Sequence, residues 1–161
     1  MKGKLSRSQR RKGADQEMMN ELCQEIKNYF DRGQQKFFGT IHIVNGLITN
    51  SEFTDAIKMG QYFRIVGSIL NDGVYCYNND LTLIDEDFKG AIWLMAVPRD
   101  VITLSEDIEK WLADNEKALQ SPYQSESFGG YSYTKATGKS GALSWQDVFA
   151  HRLNHYRRAR I

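Results

Sequence analysis

The sequence predicts an α+β fold: a small domain of three helices, interrupted by an inserted antiparallel β subdomain, with a long loop before the last helix. Apolar residues recur at spacings of three and four near both ends of the chain, as they do along one side of a helix. Residues 36–97 instead alternate with a period of two and carry Asn-Gly and Asn-Asp-Gly turn signals. Residues 120–143 contain no Ile, Val or Met, and their only Leu is at the end of the segment.

Length and composition narrow the class of protein. The chain has 161 residues, of which 41% are hydrophobic and 25% charged, as expected for one ordinary domain with a core. Its longest apolar run, Ala91–Val97, is far shorter than the roughly 20 residues of a membrane span, and the basic N-terminus lacks the apolar segment of a secretory signal. Cys23 and Cys76 are predicted to be buried thiols in a reducing compartment.

Charge is distributed unevenly, although the chain as a whole carries only +1. Residues 1–12 contain six Lys or Arg and no acid, and residues 151–161 contain four Arg and no acid. Residues 13–150 hold the other 11 basic residues and all 20 acidic ones. An acidic body with basic ends indicates that the ends meet an anionic partner, either nucleic acid or the acidic body of a neighbouring protein.

The helical core is predicted from two segments, residues 14–35 and 98–119. Residues 1–13, before the first segment, are predicted to form a flexible basic arm. The stripe of Met18, Leu22, Ile26 and its neighbours predicts a helix over 14–30, with Gly33 as its stop. Pro98 suits the start of the second helix, which has an acidic outer face.

Residues 36–97 are predicted to form the β subdomain. The segment 37–44 is followed by the Asn45-Gly46 hairpin turn and a short return strand over 47–49. Further strands are predicted over 61–68 and 74–77, around the turn at 71–73. The segment 91–97 is apolar on both faces and is therefore predicted to be a central strand.

The C-terminal part combines a long loop with a basic helix. Residues 120–143 form the predicted loop, in which Tyr131–Thr134 alternates like a strand without an obvious partner nearby in sequence. Such a strand can pair with another polypeptide, and disorder is the competing interpretation. Residues 144–161 are predicted to form the last helix and tail, with Ser144 as N-cap and Asp147 in the third helical position.

The candidate catalytic and metal-binding residues do not match the spacing of known motifs. Gly138–Ser140 resembles the end of a phosphate-binding loop, but the first glycine of that motif is absent. His151 and His155 have the spacing of metal ligands but no third ligand nearby in sequence, and His42 stands alone in a predicted strand. Asp85–Asp87 fits an acidic turn between strands better than a pair of catalytic carboxylates. The sequence predicts no catalytic residue, no metal and no cofactor.

The basic arm is the remaining candidate for a binding site. Clustered Lys and Arg bind polyanions by releasing counterions, so the arm predicts non-specific contact with nucleic acid. No pattern of a sequence-specific DNA- or RNA-binding fold accompanies it, and ion pairing across a protein interface explains it equally well. The candidate residues for contact with nucleic acid are Lys2, Lys4, Arg7, Arg10, Arg11 and Lys12.

The C-terminal quarter resembles a known family. The segment Ser121–Tyr133, followed by Trp145–Phe149 and by a basic helix that ends in Tyr156-Arg157-Arg158, is similar to head–tail connector (adaptor) proteins of long-tailed phages. Residues 60–75 and Ala96–Pro98 resemble the subfamily with a β insertion between its helices. The resemblance covers most of residues 60–160.

The resemblance implies a non-enzymatic structural protein of the virion, assembled in the host cytoplasm. Members form a ring, commonly a dodecamer, between the portal protein and a stopper, head-completion or tail-terminator protein. The ring extends the channel through which genomic DNA passes non-specifically, with no cofactor and no membrane. The alternative is a non-enzymatic nucleic-acid-associated protein that binds through its basic arms.

The resemblance also implies two sets of contact residues. Those that contact a neighbouring subunit are Tyr123, Phe128, Tyr131 and Tyr133. Those that bind the portal are Trp145, Phe149, Arg152, Tyr156, Arg157, Arg158, Arg160 and Ile161.

Overall fold

The computed structural model describes the backbone of residues 7–120, 125–128, 131–134 and 144–159, and the side chains of residues 16–119 and 144–159. Within these residues the fold is mixed α+β, as predicted, and no helix is long and apolar enough to cross a membrane. The elements are α1 (Arg7–Ile26), β1 (Lys36–Val44), β2 (Leu47–Ile48), α2 (Ser51–Ala56), β3 (Tyr62–Val66), β4 (Gly73–Cys76), β5 (Glu86–Leu94), α3 (Arg99–Asp114), α4 (Glu116–Gln120), β6 (Ser125–Phe128), β7 (Tyr131–Thr134), α5 (Trp145–Val148) and α6 (Ala150–Tyr156).

The first helix begins earlier than the sequence predicts. α1 starts at Arg7, so the second half of the predicted flexible arm is helical and that prediction was wrong for residues 7–13. Arg, Lys and Gln have high helix propensity, and a single glycine at position 13 costs only about 1 kcal/mol relative to alanine. The basic segment therefore continues the helix rather than ending it.

The same helix also ends earlier than predicted. Lys27 adopts a φ of +54° and closes α1 after Ile26, whereas Gly33, the predicted stop, lies well past the helix end. The backbone N–H groups of Lys27 and Asn28 donate to the carbonyls of Gln24 and Cys23 respectively. This pair of bonds is the left-handed helix ending that usually uses glycine, here formed by a lysine.

Five strands form one antiparallel sheet in the order β2-β1-β5-β3-β4. The predicted central strand is in the centre, although it spans residues 86–94 rather than 91–97. The Asn45-Gly46 turn is confirmed, since both residues have positive φ, 53° and 78°. At Gly90 the backbones approach so closely that a Cβ would lie 2.2 Å from the Val66 carbonyl oxygen.

The sheet and the helices have separate hydrophobic cores. The inner face of the sheet encloses one core together with α2, a helix that the sequence did not predict; Phe53 of α2 is fully buried against Phe63 of β3. The other core lies between α1, α3 and the C-terminal helices, and it includes Val74 of β4 and Met95, which follows β5. Its fully buried members include Met19, Leu22 and Leu104.

The outer edge of β1 is partly covered by one side chain. The Asn50 amide nitrogen donates to the Thr40 carbonyl at 2.9 Å, and its amide oxygen accepts from the His42 backbone N–H at 2.8 Å. The Thr49 N–H adds a bond to the His42 carbonyl. Asn50 thus occupies hydrogen-bonding positions that a further strand would use.

The later helices are interrupted where the sequence predicted continuous ones. α3 ends at Asp114, and α4 follows after Asn115, whose side chain donates to the Trp111 carbonyl. The predicted N-cap of the last helix is confirmed: the Ser144 hydroxyl accepts from the Asp147 N–H at 3.3 Å. That helix is then divided at Phe149, which separates α5 from α6.

The predicted lone strand has a partner within the chain. Tyr131–Thr134 is β7, and it pairs antiparallel with β6 (Ser125–Phe128) in a separate two-stranded sheet. The expectation that this strand lacks a nearby partner was therefore wrong. The polar sequence of β6, with only Phe128 as a strand-favouring residue, is the reason that the pairing was not predicted.

Candidate functional site

The aromatic residues predicted to bind a portal lie against the helical core. Trp145 is buried, and Phe149 and Tyr156 are half-buried against the same core. The Phe149 ring packs edge-on against Trp111 of α3 at 6.5 Å between centroids. The Tyr156 ring packs edge-on against Phe30 at 6.4 Å. These three aromatic side chains anchor the C-terminal helices.

The predicted portal-binding arginines already have partners within the chain. Arg152 forms an ion pair with Asp107 of α3 at 2.7 Å. Arg157 donates to the Glu25 carboxylate at 3.1 Å and to the Glu25 carbonyl at 2.6 Å. Arg158 lies 3.7 Å from the carboxylate of Asp31. All three side chains nevertheless remain 38–46% exposed, so one face of each is available to a partner.

The tail and the end of α1 donate hydrogen bonds to each other's terminal helix carbonyls. The last two carbonyls of α1 are bonded by the tail, with Arg157 on Glu25 and the Arg158 backbone N–H on Ile26 at 2.9 Å. In return the Asn28 amide donates to the carbonyl of Tyr156, the last residue of α6. Since helix ends leave carbonyls without internal partners, this exchange fixes both ends together.

A groove with basic walls opens beside this junction. Its volume is about 530 Å³, and its apolar lining comes from Phe30, Ala96 and Ala159. Arg32 and Arg158 line it as well. Arg32 has no ion-pair partner among the side chains that the structure describes. We call this concavity the basic groove; its full lining is Asn28, Phe30, Arg32, Ala96, Arg158 and Ala159.

The structure reveals an exposed apolar surface that sequence reasoning missed. It lies at the end of the sheet where β1 ends and β5 begins, on three turns. Ile69 is 92% exposed, the highest value among the large hydrophobic side chains of the described residues. The sequence signal was a pair of apolar residues placed directly before the turn at 71–73. We call this surface the apolar tip; it comprises Val44, Leu47, Ile69, Leu70 and Ile84.

A network around Glu86 holds two of the three turns together. The Ser68 hydroxyl, the Asn71 amide and the Ile69 backbone N–H all donate to the Glu86 carboxylate. Asn71 also exchanges two hydrogen bonds with the backbone of Ile84, at 2.8 and 2.9 Å. These hydrogen bonds fix the turns that carry Ile69, Leu70 and Ile84.

The Glu86 carboxylate stays charged in this network. The hydrogen bond from Ser68 lowers the pKa of Glu86 from its ordinary value of 4.5, and bonds from Asn71 and backbone N–H groups add to the effect. The third turn joins through Asp85, whose carboxylate accepts from the Gly46 N–H at 2.7 Å.

The turns that carry the apolar tip are acidic, and α1 approaches the same end of the sheet, where its Gln16 and Glu17 line a pocket with Asp72. Between Arg64 and Lys89 the sequence has five acidic residues and no Lys or Arg, and residues 37–57 also contain no Lys or Arg. The acids nearest the tip are Asp72, Asp85 and Glu86. The tip therefore combines apolar side chains with negative charge.

The acidic triplet and the histidines do not converge on one site. Asp85 and Glu86 accept hydrogen bonds from the turns. Asp87 contacts His42 at 2.8 Å, so the prediction that His42 is isolated was wrong. His151 and His155 line an open groove of about 500 Å³ between α3 and α6. Within the described part of the chain, no three His, Cys, Asp or Glu residues are placed to hold a metal ion.

Only one of the two cysteines is buried as predicted. Cys23 is fully buried in the helical core, and burial raises the pKa of its thiol to about 12. Cys76 is half-buried and its pKa is also raised by burial. Both are free thiols.

Several predicted contact residues lie outside the described residues. These are Lys2, Lys4, Tyr123, Arg160 and Ile161, together with the Gly138–Ser140 segment. Others are described in backbone only: Arg7, Arg10, Arg11 and Lys12 belong to α1, and Phe128, Tyr131 and Tyr133 belong to the β6–β7 hairpin.

Compared with known proteins, the chain matches no family model and no curated protein.

Proposed function

We propose that the chain is a non-enzymatic structural subunit of a virion, a head–tail connector (adaptor) that forms a ring between the portal and the stopper or tail. The sequence resemblance over residues 60–160 suggests this role. The structural observation that supports it is the C-terminal junction, where α6 and the tail are fixed to α1 and α3 with three arginines half-exposed. A surface fixed before binding loses less conformational entropy when a partner docks.

A direct test measures binding to rings of a portal protein from the same virus. Arg152→Ala removes one of these guanidinium groups at a position outside the basic groove, and because its ion pair with Asp107 is well exposed, the fold is retained. We expect this variant to bind the portal more weakly, because an arginine at a protein interface forms ion pairs and hydrogen bonds with the partner. Lys58→Ala, an exposed charge in the β subdomain, is the matched control. Equal binding by both variants would exclude the C-terminal junction as the portal contact.

The connector role itself is tested in the virus. Particles that lack this protein should accumulate as DNA-filled heads with separate tails in electron micrographs. Complete, infectious particles without the protein would overturn the proposal.

The second candidate function is binding of nucleic acid through the basic arm. The helical backbone of α1 from Arg7 favours it, because four of the six basic residues of the arm then belong to one helix. Gel-shift titrations over a salt series separate the two functions. Micromolar affinity that falls steeply with salt would support the nucleic-acid function, since each neutralised phosphate releases counterions.

A further inference from the structure

The apolar tip and the basic groove lie at opposite ends of the sheet. β5 runs from Glu86, beside the tip, to Leu94, and Ala96 of the groove follows two residues later. The Ala96 N–H donates to the Phe30 carbonyl, which places Phe30 at the same end. Nine residues of strand span about 27 Å. One copy of the chain therefore cannot fill its own groove with its own tip.

The two surfaces are complementary in chemistry. The tip presents Ile69 and Leu70 with Asp72 and Glu86 nearby and with no basic residue in its turns. The groove has an apolar lining and carries two arginines, Arg32 and Arg158. Its volume of about 530 Å³ accommodates aliphatic side chains of this size. Apolar contact supplies affinity, and opposite charge around it fixes the orientation.

We propose that the apolar tip of one copy docks in the basic groove of the next copy. The contact is heterologous, so every copy uses one tip and one groove, and the same contact repeats from subunit to subunit. The proposal rests on the proposed function for its expectation that copies of the chain associate. It assigns that association to surfaces different from the aromatic residues of the 120–143 segment that the sequence indicated.

Disulfide trapping between two separately prepared variants tests the contact. One carries Ile69→Cys in the tip and the other Ala96→Cys in the groove; both positions are exposed. Both also carry Cys76→Ser, which leaves only the buried Cys23. Under mild oxidation at high protein concentration, we expect a covalent dimer in the mixture and little in either variant alone. Phe38→Cys, which is 73% exposed on the sheet and outside both surfaces, replaces Ile69→Cys in the control mixture.

A charge variant adds a second readout. Arg32→Glu in the groove partner should lower the yield of mixed dimer roughly tenfold, because it replaces attraction to the acidic tip by repulsion. A mixed-dimer yield no higher than that of the Phe38→Cys control would overturn the proposal, as would efficient self-linking by Ile69→Cys alone. No portal is present in this experiment, so loss of trapping and loss of portal binding are separate results.

Discussion

The backbone N–H of Arg158 donates a 2.9 Å hydrogen bond to the carbonyl oxygen of Ile26, across 132 positions of sequence. The neighbouring Arg157 guanidinium bonds the Glu25 carbonyl, and Asn28 bonds the end of α6 in return. The last four carbonyls of α1 therefore all have donors, two from the turn after the helix and two from the tail. The segment expected to serve a partner protein also completes the first helix.

Removal of the tail should therefore destabilise the fold. Deletion of residues 157–161 leaves the Glu25 and Ile26 carbonyls without their donors and removes the Arg157–Glu25 ion pair. We expect the free energy of unfolding to fall by about 1–3 kcal/mol, the usual cost of a few lost hydrogen bonds. Urea denaturation monitored by circular dichroism measures this loss as a lower urea concentration at the midpoint of unfolding. Deletion of residues 160–161 alone is the matched control, and identical midpoints for the two truncations would contradict the capping role.

Substitution of Gly90 should disturb the centre of the sheet. A Cβ at this position would lie 2.2 Å from the Val66 carbonyl oxygen and 2.8 Å from the Phe88 ring. Since Val66 is held in the neighbouring strand, relief requires movement of backbone. We expect Gly90→Ala to lower the free energy of unfolding by about 1–3 kcal/mol, as overpacked cores do. Thermal unfolding of Gly90→Ala and of the exposed neighbour Lys89→Ala should differ clearly; similar melting temperatures would show that the strands can separate without cost.

The Glu86 network should make stability depend on pH. The pKa of Glu86 is lowered in the folded state, chiefly by the Ser68 hydroxyl, so folding favours the ionised carboxylate. Its contribution is fully present above the unfolded pKa, near 4.5, and is lost as the pH falls through the lower folded value. Glu86→Gln should therefore be less stable than the parent chain at pH 7, and the difference should shrink toward pH 3.

Urea midpoints across this pH range measure the difference between the two chains. The substitution keeps the size of the side chain, and Asp55→Asn, at an exposed position of α2, is the control for general charge effects. A constant difference from pH 7 to pH 3 would rule out Glu86 as the titrating group.

Periodic patterns predicted the parts of the fold that depend on local burial. The stripe through Met18 and Leu22 predicted α1, and the alternation around Phe63 and Ile65 predicted β3. The Asn45-Gly46 turn was predictable because both positions require positive φ. Asn and Gly tolerate that conformation better than other residues.

Contacts between distant segments were not predictable from these patterns. The end of α1 is set by Lys27 in a conformation that lysine rarely adopts, and it is supported by residues 157 and 158. The apolar tip depends on Glu86 drawing the turn at 68–71 against β5, although the sequence showed only an acidic triplet. Both features depend on which segments meet, and the residue order does not encode that locally.

The Asn50 side chain has a consequence for crowded assemblies. Its hydrogen bonds to Thr40 and His42 block part of an exposed strand edge, which could otherwise form backbone hydrogen bonds with the same edge of another molecule. Many copies brought close together would then be protected from uncontrolled sheet growth at this edge, which leaves them free to meet through their side chains.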